Sequence, residues 1–171
     1  MTVTPLWTQR QFTYGDPSRP NAAAVPPLAL PLPAGSAYAV RAFVTGHGQG
    51  NADNCAEFCP RRHTIRVDDA SFAADVWRTD CATTAVPNQP GTYRYSRAGW
   101  CPGALVHPWQ ADIAPRQSAP TFAYDVQDYT NSCRPGMMTC QGCTLGTGCD
   151  YDGGNHTEPS YQLPALLITY R

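Results

Sequence analysis

One of the chain's two glutamates, Glu57, lies inside Cys55-Ala56-Glu57-Phe58-Cys59. A disulfide closing that short ring leaves the middle side chain few directions in which to point. Preorganisation of this kind serves proton transfer or substrate orientation, so Glu57 is the first candidate for chemistry. The plainer alternative is a glutamate that accepts backbone N–H bonds and holds a tight loop. Just upstream, Gly46-His47-Gly48 sets an imidazole between two glycines, where the backbone approaches closely and the ring can reach a cleft; the alternative is a loop-bracing hydrogen bond. Downstream, the Arg97 guanidinium can stabilise charge and the Trp100 indole offers a flat aromatic face. Arg97 could instead pair with Asp80, and Trp100 could pack on a neighbouring disulfide.

Metal chemistry finds little support in the sequence. His47, His63, His107 and His156 are scattered singly, with no His-x-His pair to hold copper beside Met137 and Met138. Cys133, Cys140, Cys143 and Cys149 lack the paired Cys-x2-Cys knuckles of a zinc site and are expected to form two disulfides of open connectivity. Asp150 and Asp152 before Gly153-Gly154 fit a plain turn better than a calcium loop, because no bidentate glutamate follows. No metal and no cofactor is expected. Asn155-His156-Thr157 is a glycosylation sequon where the source modifies secreted proteins.

Composition narrows the setting. Eight cysteines in 171 residues favour oxidised pairs and a secreted, periplasmic or cell-surface location. Cys55 with Cys59, and Cys81 with Cys101, are the proposed pairings among the many that eight cysteines allow. Arginine supplies all twelve basic residues against thirteen acids, with no run of either sign, so neither nucleic acid nor an anionic membrane is the expected partner. Ala22 to Leu32 is broken by three prolines and is too short to span a bilayer. Met1 is followed by no basic and apolar leader, so an export signal is expected to be absent or removed.

The elements that position these residues should be strands. Seventeen prolines and fourteen glycines interrupt every helical stripe. Short β-branched or aromatic runs recur instead at Thr2 to Thr8, Ala37 to Thr45, His63 to Val67, Phe72 to Arg78, Gly91 to Ser96, Ala119 to Val126 and Tyr161 to Tyr170. That pattern predicts an all-β antiparallel sandwich or jelly roll. Ala37 to Thr45 is apolar on both faces and is predicted to be central. Tyr161 to Tyr170 closes the domain, with Pro164 expected at a strand start or edge. Pro17 to Pro33 reads as an extended crossing segment, and Tyr129 to Asn155 as one long disulfide-rich loop. Residues 1–171 read as a single domain.

Thr45-Gly46-His47-Gly48, Asn54-Cys55-Ala56-Glu57-Phe58-Cys59 and Arg97-Ala98-Gly99-Trp100-Cys101-Pro102-Gly103 together resemble the C-terminal domain of the peptide-N-glycosidase F family. The resemblance runs from Leu6-Trp7 to Ala165-Leu166-Leu167-Ile168. It implies a jelly roll of about eight strands, the second of two stacked in that family, related in fold to copper-dependent peptide-amidating monooxygenases. It also implies hydrolysis, without metal, of the amide joining asparagine to the first N-acetylglucosamine of an N-glycan. Glu57 then becomes an active-site acid at an interdomain cleft, Arg97 and Trp100 hold the chitobiose core, and Cys55–Cys59 and Cys81–Cys101 are disulfides. Phe58 stands where the family pattern has tryptophan, keeping an aromatic face and losing the indole N–H. The family's essential aspartate comes from the other domain, so an adjoining domain or subunit is the implied partner, with an N-glycan or glycoprotein as ligand. Asp53 and Asp80 are nearby candidates for that carboxylate, but short polar residues beside turns more often serve as caps and Asx-turns, which is the preferred reading. A non-catalytic glycan-binding or surface-assembly module on the same fold is the alternative.

Overall fold

The computed structural model describes residues 1–50, 55–131 and 157–171. Its elements, in chain order, are β1 (Thr2–Thr13), α1 (Asn21–Ala24), β2 (Leu28–Ala29), β3 (Ala37–Ala42), β4 (Thr45–Gln49), β5 (Arg62–Val67), β6 (Ala70–Asp75), α2 (Cys81–Thr84), β7 (Trp109–Ile113), β8 (Thr121–Val126) and β9 (Thr157–Tyr170). Both helices are single turns, and no helix among the described residues is long and apolar enough to cross a membrane.

The strands form two antiparallel sheets. One runs β1-β9-β3-β7, with β4 also paired to β9, and the other runs β2-β8-β5-β6. Inner faces meet through aromatic rings: Trp7 and Phe12 on the first sheet lie edge-on to Tyr124 of the second, each at 6.2 Å between ring centroids. Period-two alternation drives this arrangement, since His63, Ile65 and Val67 on β5 are buried while Arg62 and Arg66 are exposed. The fold is therefore the all-β jelly-roll type of sandwich. As predicted, β3 is central, paired with β9 on one side and β7 on the other.

Three expectations change. Pro164 lies inside the 14-residue β9, which has neighbours on both sides, rather than at an edge. The missing N–H falls where both ladders are interrupted: β4 pairs with β9 up to Gln162, β3 from Ala165 onward, and β1 shifts register between Trp7 and Arg10. The proline carbonyl remains useful, accepting from Phe43 N at 2.9 Å. Gly91 to Ser96 is a loop, for a reason the site supplies. Trp109–Ile113 is a strand that the sequence pattern did not reveal. Cys133, Cys140, Cys143, Cys149, the Asp150 and Asp152 turn, the sequon, and Asp53 and Asn54 lie outside the described residues, with Thr157 described only in its backbone.

Candidate functional site

Three short segments are laced together by backbone hydrogen bonds. Glu57 N donates to Gly48 O at 2.9 Å, Ala98 N to Glu57 O at 2.9 Å, and Gly46 N to Ala98 O at 3.0 Å. Gly46 permits the approach, because a Cβ there would meet Ala56 O at 2.6 Å and Ala98 Cβ at 2.7 Å. Two covalent ties fix the margins: Cys55–Cys59, with Cα atoms 4.9 Å apart, and Cys81–Cys101, with Cα atoms 5.2 Å apart. The 97–100 segment is further held by a backbone bridge between Arg78 and Arg97. Gly99, at φ +78°, lets the chain turn where a side chain would strike Val44 O.

This frame brings together all five residues singled out from the sequence. Arg97 Nη1 donates to Glu57 Oε1 at 2.8 Å, and Gly48 N donates to Glu57 Oε2 at 3.2 Å. The Arg97 side chain is 3% exposed and that of Glu57 16%. The guanidinium lies over two rings, with its carbon 5.1 Å from the Phe58 centroid and 4.8 Å from that of Trp100. Two further donors turn back on the preceding loop, Nε to Tyr95 O at 3.3 Å and Nη2 to Thr92 O. Those carbonyls wrap a cation instead of entering a ladder, which is why 91–96 is not a strand. Asp80, the plainer partner for Arg97, belongs instead to Arg78, bound at 2.9 and 2.7 Å.

Trp100 does not simply pack on the adjacent disulfide. Its Nε1 donates to Gly46 O at 2.8 Å, and its ring lies against His47 at 5.2 Å between centroids. The His47 Nε2 hydrogen-bonds Thr45 Oγ1 at 2.8 Å, the bracing role raised by the sequence. Sequence reasoning missed Thr92 and Tyr95 and carried Thr45 only as part of a motif; Tyr93-Arg94-Tyr95, two positions after Gly91, was the available signal.

Electrostatics set the protonation chemistry. Burial raises the Glu57 carboxyl above its ordinary value, with Arg97 and the Gly48 N–H pulling the other way. Burial also lowers Arg97 despite Glu57, and lowers His47, where Arg97 adds to the effect. Burial thus works against the charged form of both members of the pair, and their mutual attraction offsets part of that cost. A carboxyl so poised can hold or release a proton near a bound ligand. Asp80, Cys81 and Cys101 also cluster, but both sulfurs are spent in a disulfide and the carboxylate is bound by Arg78. A hollow of about 630 Å³ lined by Arg62, Thr64, Asp75, Asp125 and Gln127 includes none of the residues singled out from the sequence.

Comparison with known proteins places this geometry in context. The family described as "Peptide-N-glycosidase F, C terminal" matches residues 20–139. The peptide-N(4)-(N-acetyl-β-D-glucosaminyl)asparagine amidase F of Elizabethkingia miricola is 33% identical over 115 residues, covering 61% of this chain and 32% of the relative. A structure of PNGase F, a glycosylasparaginase from Flavobacterium meningosepticum, superposes with a TM-score of 0.72 at 21% identity, covering 99% of this chain and 51% of that one. PNGF-II superposes with a TM-score of 0.54 at 20% identity, covering 85% of this chain and 24% of that one. The chain therefore spans about half the length of the first solved relative and about a third of the curated one.

Proposed function

Because this chain belongs to the peptide-N-glycosidase F C-terminal family, we propose that it is the glycan-facing half of an amidase that cleaves the N-glycan–asparagine bond. The single observation that carries the reading is the buried Arg97–Glu57 pair under Phe58 and Trp100, built from segments remote in sequence. Its cysteine cross-links suit an oxidising setting, and we assign the protein to the secreted, periplasmic or cell-surface space. We assign residues 1–171 to a single domain.

Amide hydrolysis needs an activated water, a proton for the departing nitrogen and stabilisation of the developing oxyanion. Glu57, raised by burial and fixed on two sides, serves as the proton-handling group. Arg97 positions it: three of its donors are already committed to Glu57, Thr92 and Tyr95, so its role is to orient the acid and hold the neighbouring loop. The second carboxylate comes from an adjoining domain or subunit; Asp80, occupied by Arg78, does not substitute. Water adds across the side-chain amide, giving aspartate and a glycosylamine.

The test is incubation with a denatured N-glycoprotein, alone and with the N-terminal domain of a relative supplied, scoring asparagine-to-aspartate conversion. The expected result is glycan retention by the chain alone, turnover when the second domain is present, and loss of that turnover in Glu57→Gln. Absence of both retention and cleavage in every combination sinks the proposal.

A further inference from the structure

The aromatic groups of the site are not equally free. Trp100 has its indole N–H on Gly46 O and its ring engaged by Arg97 and His47. Phe58 covers Arg97 and is only partly exposed. Tyr95, by contrast, is 62% exposed and touches the cluster through an edge-to-face contact with Phe58, 6.4 Å between centroids and 77° between planes. Among the described residues the other large exposed apolar ones, Met1, Val3, Val86 and Leu105, carry no aromatic ring.

The backbone of Tyr95 is also tied down. Tyr95 N donates to Thr92 O at 2.9 Å, closing a turn, and the carbonyls of Thr92 and Tyr95 both accept from Arg97. One guanidinium therefore binds the Glu57 carboxylate and the backbone that carries the Tyr95 ring. An exposed ring adds little to the core, but a ring fixed relative to an acid is a preorganised ligand contact. Tyrosine suits that task, offering a rigid flat surface at low entropic cost. The flat C–H face of a pyranose is complementary to such a ring.

We infer that Tyr95 is a sugar-contacting residue, the open aromatic platform on which an N-acetylglucosamine of the N-glycan core packs. This rests on the amidase reading above and extends it to a residue that the sequence motifs do not include. Trp100, its ring already engaged, orders the site from behind.

The test measures binding of N,N′-diacetylchitobiose to the full chain by calorimetry, comparing the parent with Tyr95→Ala and Tyr95→Phe. Thermal melts serve as the folding control, and the exposed ring should leave them unchanged. We expect Tyr95→Ala to weaken binding about ten-fold and Tyr95→Phe to stay within about two-fold. Equal affinity in the parent and Tyr95→Ala overturns the inference while leaving the glycan reading intact. A loss seen only with a glycopeptide assigns the ring to polypeptide and also overturns it. Equal loss in Tyr95→Phe moves the contact to the phenol hydroxyl and overturns the ring platform. No chitobiose binding by the parent chain removes the glycan reading and this inference together.

Discussion

Arg97 Nη1 lies 2.8 Å from Glu57 Oε1 across forty positions of sequence, with the arginine almost wholly buried. Removing one member of such a pair leaves an uncompensated group in a poorly solvated place, whereas the intact pair gains little net stability. Arg97→Met should therefore destabilise the fold by about 3 kcal/mol, more than a surface ion pair is worth. Arg97→Lys should recover less than half of that, because an ammonium cannot span Glu57, Thr92 O and Tyr95 O with one planar fork. Urea denaturation of the three proteins checks both statements; a lysine variant as stable as the parent would contradict the positioning role.

Stability against pH should show opposing contributions. Glu57 is raised from 4.5 on folding, so its contribution is complete below that value and is lost as pH rises through the raised one. His63, fully buried on β5 with Nδ1 2.5 Å from the Tyr124 hydroxyl, is lowered by burial from 6.5 to about 3. The unfolded chain then binds the extra proton, so stability is complete above 6.5 and falls as pH drops towards 3. The slope from this residue approaches about 1.4 kcal/mol per pH unit. His63→Gln should be less stable at neutral pH yet flatter between 6.5 and 4. Parallel acid limbs in denaturant titrations of the two proteins would refute this assignment.

The sandwich was legible because its strands alternate, and β3 was legible as central because both its faces are apolar. β7 escaped notice: Trp109–Ile113 exposes Gln110 and Asp112 and keeps only two buried positions, too short a run of alternation to stand out. The 91–96 segment has strand-like aromatics, but its carbonyls serve Arg97. Glu57 and its cysteine ring were readable locally. Its pairing with Arg97 was not readable from spacing, since it depends on three backbone bonds joining segments 46–48, 57 and 98. The resemblance supplied Arg97 and Trp100, while the Tyr93-Arg94-Tyr95 run was the local signal for Tyr95 and did not by itself tie that ring to Glu57.

Two glycines with almost the same dihedral separate conformational from steric cost. Gly99 has φ +78° and a built Cβ 1.9 Å from Val44 O; Gly91 has φ +76° with nothing within 4 Å. Gly91→Ala should cost about 1–2 kcal/mol, the left-handed penalty alone. Gly99→Ala adds displacement of backbone beneath Arg97 and Trp100 and should cost about 4 kcal/mol. Thermal melts of the two variants should differ accordingly, and equal shifts would show that the close approach to Val44 is relaxed at little cost.

The two described disulfides should fail in different ways. Cys81–Cys101 closes the longer loop, with a sequence separation of 20 against 4 for Cys55–Cys59. On loop-closure entropy, replacing the first pair with serine should cost roughly 3 kcal/mol and the second roughly 2 kcal/mol. Function should follow the opposite order, because the shorter ring carries Glu57 and Phe58 while the longer one ties the residue after Trp100 to Cys81. Denaturant curves, read alongside chitobiose affinity, separate the two. The Cys55 and Cys59 double variant should lose more binding for less stability, since freeing the ring leaves the Arg97 guanidinium facing a carboxylate with many orientations instead of one. If binding tracks stability in both double variants, the short ring is only a staple and not the device that aims Glu57.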